Sequence, residues 1–291
     1  MKIKLILITL SVITLYSCKK GKPEITPEPV RYSKIESFLT PYENEQLVPS
    51  KRFLLSSKSF DNSGHLTLYL YRVFGTDLVD TVDNTLQKST YKYENNRIVE
   101  EDVLSIAKAI HQVDVKVKLT YTSKGDTSEV TIYDNQTSKL SGRYVYFYGS
   151  NGMKSKITCY SVTDEVGSPA GTEFYSHFFK YDDNKNITEL SEILPDAKNT
   201  VNYTIKYVYN SKNNLIKATN ITYHFGPYYE GQYQYDEKGR IVEYTKTHNP
   251  GVPESWSTRF VNSYNNDGQL SKQILYSGTF QIGIIEYFYI K

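Results

Sequence analysis

The sequence predicts an all-β protein built as a single large antiparallel β-meander of repeated hairpins, with a twisted or curled sheet that is open or partly closed. Two observations predict this fold class. Residues 233–244 have the pattern of a strand, a tight turn and a second strand. Variants of the same pattern recur from about residue 60 to the C-terminus, and a recurring supersecondary unit is the mark of a repeat architecture.

Residues 233–244 explain why the unit forms a hairpin. Tyr233 and Tyr235 lie on one face of an extended strand, since side chains alternate with period two. Asp236 suits the first position of a type I turn, and Gly239 suits the fourth, where a positive φ costs glycine nothing. This combination is a common closure of a β-hairpin.

The repeat frame is an aromatic residue, Asp or Asn, two variable polar residues, Gly or Asn, one further residue, and Ile or Leu. Of about eight copies, those that begin at Phe60, Tyr181, Tyr209, Tyr235 and Tyr264 keep this frame, with Lys at the Gly position in the copy at Tyr181, and looser copies begin at Tyr93, Tyr121 and Tyr148. Their spacing of 26–33 residues holds two strands and two turns. The predicted turn positions are Asp61, Gly64, Asp182, Asn210, Asn213, Asp236, Gly239, Asn265 and Gly268.

Residues 100–111 contain good helix formers after an acidic start. Their spacing nevertheless matches the repeat, so we predict a strand pair with a turn near Ala107 and Lys108. Neighbouring residues on a strand point to opposite faces. The acidic cluster Glu100, Glu101 and Asp102 is therefore expected to be split between faces and solvated.

The N-terminus reads as a signal peptide over residues 1–17, with basic Lys2 and Lys4 before an apolar stretch of eleven residues. That stretch is too short to cross a bilayer as a helix. The segment Leu15-Tyr-Ser-Cys18 resembles the lipobox of bacterial lipoproteins, and this resemblance implies a lipid on Cys18. An ordinary secretory signal is the alternative.

Residues 18–49 contain five prolines and are predicted to be a tether between the lipid and the folded part. The hairpin repeat domain is then expected over residues 50–291. No acidic run follows Cys18. By resemblance to lipoproteins of Bacteroidetes, this favours the periplasmic face of the outer membrane over the cell surface.

The frame at residues 233–241 is similar to the YD repeat of the RHS family, and the chain resembles small YD-repeat lipoproteins of Bacteroidetes type. The resemblance covers roughly residues 55–291. In the RHS family successive hairpins form a long antiparallel sheet, which in large members curls into a shell around a toxin. This chain has no large toxin domain after its repeats, and several turns carry Asn or Lys in place of Gly.

Charge and cysteine usage narrow the expected partners. Removal of residues 1–17 lowers the count of basic residues from 34 to 32, against 32 acidic residues. A neutral chain gives no electrostatic reason to bind nucleic acid. With Cys18 acylated, Cys159 has no intramolecular partner and is predicted to be a small buried residue rather than a nucleophile.

No catalytic or metal-binding motif stands out. The five histidines are scattered, and no nucleophile elbow or phosphate-binding glycine loop is present. Asp182, Asp183 and Asn184 carry ligands suited to Ca²⁺, but a turn is the simpler interpretation. We therefore predict a non-enzymatic protein without cofactor or metal. A carbohydrate-active enzyme with a carboxylate pair from distant strands is the weaker alternative.

Aromatic residues beside the links between hairpins are the candidate ligand contacts, namely Tyr228, Tyr229 and Trp256. Packing of hairpin ends is the competing explanation.

Tyr203, Ile205, Tyr207 and Tyr209 alternate on one strand and are expected to form a cross-strand packing ladder rather than a sugar platform. Thr81 lies in a short sequence resembling an O-glycosylation signal.

The predicted function is that of a lipid-anchored binding or scaffold surface in the cell envelope. Its expected partner is an envelope protein or a polysaccharide. Glycan binding through the loop aromatics is the alternative.

Overall fold

A computed structural model describes residues 32–291 except 74–84, 107–112, 163–170, 196–199, 223–228, 249 and 251–255. Apart from a single 3₁₀ turn, Pro49–Lys51, the regular structure of this part is entirely β. The strands are β1 Lys34–Glu43, β2 Gln46–Leu47, β3 Phe53–Phe60, β4 Leu66–Val73, β5 Thr85–Glu94, β6 Arg97–Ser105, β7 Asp114–Tyr121, β8 Thr127–Asp134, β9 Leu140–Tyr148, β10 Lys154–Tyr160, β11 Glu173–Tyr181, β12 Ile187–Ile193, β13 Val201–Tyr209, β14 Leu215–Thr222, β15 Tyr229–Tyr235, β16 Ile241–His248, β17 Trp256–Tyr264, β18 Leu270–Ser277 and β19 Phe280–Ile290.

The strands form an antiparallel meander that closes on itself, which confirms the predicted fold class. From β3 to β19 each strand pairs with the next in sequence. Strand β1 pairs with β3 on one side and with β19 on the other. The two-residue β2 pairs only with the end of β1. Eighteen of the described strands thus form a closed ring, and the sheet is left without a free edge.

The predicted boundary of the folded domain at residue 50 is wrong. Residues 34–43, which were expected to belong to a tether, form β1. Four of these residues are buried, with Ser37 and Leu39 almost fully so. The five prolines suggested a spacer, yet Pro41 lies within β1 beside Gly283 and the strand still supplies the pairing that closes the ring.

Residues 97–105 and 114–121 form the antiparallel strands β6 and β7, as the repeat spacing predicted and in place of a helix. The expected turn near Ala107 and Lys108 lies outside the described residues. Glu100 and Asp102 both contact Lys116 on one face, whereas Glu101 points to the other. The expectation that all three acids are solvated is wrong for Glu101, which lies directly opposite the buried Val117, and burial raises the pKa of its carboxyl group.

Seven turns of the described chain share one pattern of main-chain hydrogen bonds, and we call the end of the sheet that carries them the turn end. In the turn at Asp236, the amide of Gly239 donates to the carbonyl of Asp236, and the amide of Asp236 donates to the carbonyl of Arg240. The Asp236 carboxylate also accepts from the Arg240 amide. The same pair of bonds occurs in the turns that begin at Asp61, Thr122, Gly149, Asp182, Asn210 and Asn265.

The fourth position of these turns has a positive φ, which a glycine adopts without strain. Gly239 has a φ of 76° and Gly268 a φ of 80°. Lys185 and Asn213 adopt the same conformation, at 67° and 61°. The turn between β5 and β6 is shorter, with positive φ at both Asn95 and Asn96, as a two-residue hairpin loop requires.

The two faces of the closed sheet differ in composition. Residues directly opposite each other on neighbouring strands share a face. When directly opposite residues are traced from strand to strand, one face carries five side chains that are each at most 4% exposed. These are Leu39, Val117, Tyr144, Ile157 and Leu275. In a single closed layer only the interior can bury side chains of this size, so we call this the inward face. Tyr203, Ile205 and Tyr207 also lie on it.

The outward face carries cross-strand ion pairs beside exposed apolar side chains, which include Leu104, Phe147, Phe178, Val208 and Phe288. These pairs are Lys116–Glu100, Arg143–Glu129, Lys156–Glu173, Lys180–Glu189, Lys217–Glu230 and Arg259–Glu243. Some aromatic residues on this face contact cations, as where the Lys156 ammonium lies 5.3 Å from the ring centre of the partly exposed Phe178. Among the described residues, no helix has the length and apolar character needed to span a membrane.

A compact apolar cluster supports the seam between β1 and β19. Leu39, Leu275 and Ile285 form its buried centre, and Phe53 and Phe260 pack against it. Gly283 allows the close approach, since a Cβ at this position would lie 2.9 Å from a methyl carbon of Leu39. Burial of apolar surface at the seam therefore supplements the hydrogen bonds of β1.

Candidate functional site

The candidate site lies at the end of the sheet opposite the turns, which we call the link end. Tyr229 is the first residue of β15, His248 the last of β16, and Trp256 the first of β17. Tyr229 is directly opposite His248, and His248 directly opposite Trp256. Lys246 lies two residues before His248 on the same face. We call these four residues the link-end patch.

Ring stacking defines the centre of this patch. The His248 and Trp256 rings are nearly parallel, with centres 3.8 Å apart and an interplanar angle of 8°. The Tyr229 ring is tilted relative to His248 at a centre distance of 6.4 Å. Trp256 is 53% exposed although His248 covers one face of its indole. Stacking thus holds a large aromatic surface in place and leaves it accessible to a ligand.

Lys246 brings a positive charge to the patch. Its ammonium nitrogen lies 4.3 Å from the centre of the Tyr229 ring, within cation–π distance. Burial lowers the pKa of Lys246. Burial, and secondly the charge of Lys246, lower the pKa of His248. A pKa lowered from the ordinary value of 6.5 favours the neutral imidazole at pH 7.

An unsatisfied acceptor lies on the next strand. Asn220 is directly opposite Tyr229 in the pairing of β14 with β15. Its side-chain oxygen is buried and has no hydrogen-bond donor among the described residues. Buried polar groups of this kind are normally satisfied, so a water molecule or a ligand hydroxyl would complete its bonding.

The structure brings together two of the three predicted ligand contacts. Tyr229 and Trp256 lie on either side of His248, as described above. The third, Tyr228, lies outside the described residues, as do the candidate glycosylation residue Thr81 and the candidate lipidation residue Cys18. His248 and Lys246 were not predicted as ligand contacts. The sequence feature that could have identified them is the alternation of Tyr244, Lys246 and His248 before the link, which places all three side chains on one face.

A second group of titratable side chains is buried on the inward face of β11–β13. The Nε2 atom of His177 lies 2.8 Å from a Glu192 carboxylate oxygen and 3.0 Å from the Tyr203 hydroxyl. Asn202 donates to the other Glu192 oxygen at 2.6 Å. Although burial acts to raise it, hydrogen bonds from His177 and Asn202 lower the pKa of Glu192 below its ordinary value.

This group has the features of a structural network. Its His177 and Glu192 side chains are only 7% and 13% exposed. Both partners engage the same nitrogen of His177, whereas a catalytic relay uses one imidazole nitrogen for the orienting acid and the other for the reacting group. Cys159, directly opposite Tyr175 on the neighbouring strand, is buried, and burial raises the pKa of its thiol. A raised thiol pKa opposes nucleophilic reactivity.

Within the described ranges, no cluster of three or more His, Cys, Asp or Glu side chains is arranged to hold a metal ion. The oxygens of Asp182, one of the residues with Ca²⁺-compatible chemistry, accept hydrogen bonds from the amide and side chain of Asn186. These contacts close the turn. The backbone and side-chain bonds together account for the lowered pKa of Asp182.

The fold and the patch together define an all-β, closed antiparallel sheet of hairpin repeats with an aromatic patch at one end. No family model matches the chain, and no curated protein matches it in sequence. Among solved structures, it is similar to a porin-like protein from Bacteroides uniformis, with 11% identity, a TM-score of 0.43, and coverage of 89% of this chain and 97% of that chain.

Two further solved structures have weaker similarity. A porin-like protein from Bacteroides vulgatus has 11% identity and a TM-score of 0.31, over 89% of this chain and 98% of that one. The Tc holotoxin pore of Photorhabdus luminescens has 13% identity and a TM-score of 0.35, over 85% of this chain and 14% of that one. At these TM-scores the likenesses assign neither a family nor a function.

Proposed function

We propose that this protein is a lipid-anchored component of the bacterial cell envelope that binds a saccharide non-enzymatically through the link-end patch. The carrying observation is Trp256, which remains 53% exposed while its indole is held flat against His248. Tyr229 extends the aromatic surface beside it. Aromatic side chains are rigid and have an apolar ring face, which complements the apolar face of a sugar ring at low entropic cost.

Attachment through a lipid on Cys18 fits the surface of the sheet. The outward face carries ion pairs on many neighbouring strands. Barrels that span the outer membrane instead present an apolar band to lipid. We therefore place the sheet in water, with Cys18 as its attachment to the membrane and the periplasmic face of the outer membrane as its location. In the same proposal, the hairpin array belongs to the YD-repeat type.

A non-enzymatic role is part of the proposal. The buried histidine of the described chain, His177, is committed through one nitrogen to both Glu192 and Tyr203. Cys159 is buried, and its thiol pKa is raised. The exposed and stacked residues of the link-end patch offer ring faces and one cation, a combination suited to recognition rather than to proton transfer.

Saccharide binding is tested on a glycan array with the full chain purified in detergent micelles. Trp256→Ala and Tyr229→Ala should each reduce the signal at least tenfold. Phe147→Ala is the matched control, because it removes an exposed aromatic residue from the outward face of β9 and should leave the signal unchanged. No bound glycan, or equal binding by all four proteins, would contradict the proposal.

Membrane attachment is tested separately by detergent-phase partition. The chain should partition into the detergent phase, whereas the Cys18→Ser variant should remain in the aqueous phase with an unchanged circular dichroism spectrum. Equal partition of the two proteins would refute the lipid anchor. The saccharide-binding proposal would still be tested by the glycan array.

A further inference from the structure

We propose that the link-end patch selects saccharides whose ring carries a carboxylate, the uronic acid class, with Lys246 as the residue that distinguishes them from neutral sugars. This inference deepens the proposed function and rests on it. It is drawn from the charge balance around Lys246 and from the position of its ammonium group beside the aromatic rings.

Lys246 has no ion-pair partner among the described residues, unlike several lysines of the outward face. Lys180, for example, lies 2.7 Å from Glu189, and Lys217 lies 2.7 Å from Glu230. Lys246 points to the inward face and contacts the Tyr229 ring. A half-buried cation without a counter-ion is unfavourable, and an anionic ligand would remove that penalty on binding.

Nearby acidic side chains are directed away from the patch. Glu230 on β15 lies on the outward face, where Lys217 engages it. Glu243 on β16 is also outward and pairs with Arg259 at 3.2 Å. The carboxylates on the strands that form the patch are therefore neutralised by ion pairs on the outward face. This arrangement leaves the positive charge of Lys246 available at the inward face.

The number and position of charges indicate one carboxylate attached to a ring. Burial and Lys246 lower the pKa of His248 and so favour its neutral form at pH 7, which leaves the Lys246 ammonium as the cation of the patch. The Lys246 ammonium lies 4.3 Å from the Tyr229 ring centre. The Trp256 indole stacks on the imidazole of His248, which pairs with Tyr229 on its other side. A sugar stacked on these rings can thus place a carboxylate against Lys246. A phosphate group with two charges would call for further cations, typically an arginine fork.

Lys58 provides a matched control from the same face of the sheet. It also points inward, lies 5.0 Å from the ring centre of Tyr69, and has a pKa lowered by burial. It is located near the turn end, three residues before the turn at Asp61. Lys58→Gln therefore removes an equivalent inward charge far along the strand direction from Trp256.

The test uses calorimetry on the full chain in detergent micelles with oligogalacturonate and its fully methyl-esterified form, which has the same sugar rings without the charge. We expect the acid to bind at least tenfold tighter than the ester at low salt. Lys246→Gln should reduce the affinity for the acid to that for the ester, whereas Lys246→Arg and Lys58→Gln should retain the preference. Trp256→Ala should weaken both ligands, and thermal melting confirms that each variant is folded.

Each outcome bears on the inference in a defined way. Equal affinity for acid and ester, or a preference that survives Lys246→Gln, would overturn the selection of acidic sugars. Binding to both forms that depends on Trp256 would still support the proposed function. Failure to bind either form would overturn this inference, while the glycan array decides the proposed function independently.

Discussion

The hydroxyl group of Tyr235 donates a hydrogen bond of 2.7 Å to the main-chain carbonyl of Leu215. Tyr235 begins one repeat, and Leu215 ends the frame of the repeat before it. Eight such bonds occur in the described chain: Tyr93 to Leu66, Tyr121 to Ile98, Tyr148 to Thr127, Tyr181 to Lys154, Tyr209 to Ile187, Tyr235 to Leu215, Tyr264 to Ile241 and Tyr289 to Leu270.

These bonds explain why the frame begins with tyrosine and ends with a fixed position. The tyrosine hydroxyl of each hairpin ties it to the preceding one, beside the turn. Phe60, which begins the first copy, follows β1 rather than another repeat hairpin and carries no hydroxyl. Tyr289 in β19 makes the same bond without a turn of its own and ends the array.

Loss of one such bond should weaken the sheet. We expect Tyr235→Phe to lower the free energy of unfolding by about 1 kcal/mol, the usual net contribution of a hydrogen bond. Tyr276→Phe is the control, since its hydroxyl has no hydrogen-bond partner in the described part of the chain while its ring stacks on Arg259. Urea unfolding followed by circular dichroism measures both. Equal stability of the two variants would show that the hydroxyl of Tyr235 contributes nothing.

The fourth turn position should favour glycine. Lys185 has a φ of 67°, so Lys185→Gly should stabilise the protein by up to about 1 kcal/mol by removing strain at a left-handed residue. Gly239→Ala, at a φ of 76°, should destabilise it by about 1 kcal/mol. No atom lies closer than 3.9 Å to a Cβ at residue 239, so the cost is conformational rather than steric. Chemical denaturation of both variants measures the change in the free energy of unfolding, which should be opposite in sign for the two. A change in the same direction for both would refute the argument.

Glu192 should contribute to stability in a pH-dependent way. Its pKa in the folded protein lies below the ordinary value of 4.5. Its contribution is therefore complete above pH 4.5 and is lost as the pH falls through the folded pKa, because the unfolded chain then binds the proton more readily. We expect Glu192→Gln to lower the free energy of unfolding at pH 7 by about 2 kcal/mol, the cost of weakening a buried charged hydrogen bond.

The difference between the wild-type protein and Glu192→Gln should shrink as the pH falls below 4.5. Glu243→Gln is the control, since this carboxylate is in a partly exposed outward pair, and such pairs contribute about 0–1 kcal/mol. Denaturation at a series of pH values tests the prediction. A constant difference from pH 7 to pH 3 would contradict it.

Cys159 should be protected from thiol reagents in the folded protein. It is 6% exposed, and burial raises the pKa of its thiol, so the reactive thiolate is scarce at pH 8. In a Cys18→Ser background, Ellman's reagent should react with Cys159 only after urea unfolding. Rapid reaction at zero urea would show that this part of the inward face opens readily.

Much of the architecture could be predicted because its causes are local. Turn chemistry at Asp236 and Gly239 depends on two residues three positions apart, and the alternation of Tyr203, Ile205 and Tyr207 depends on one strand. The candidate site was partly predictable for the same reason, since Tyr229 and Trp256 flank links of the repeat. His248 and Lys246 were missed because their roles depend on the cross-strand register of β15, β16 and β17.

The sequence by itself determined the repeated hairpin, its turns and the antiparallel order of the strands, since each follows from contacts between residues near in sequence. Tertiary structure decided whether the sheet closes, which face is inside and which residues share the link-end patch. Closure depends on β1, whose pairing partners lie at opposite ends of the repeat array. Local propensity in a proline-containing segment carries no information about a strand almost the whole chain away, so β1 was taken for a tether although it joins the sheet to itself.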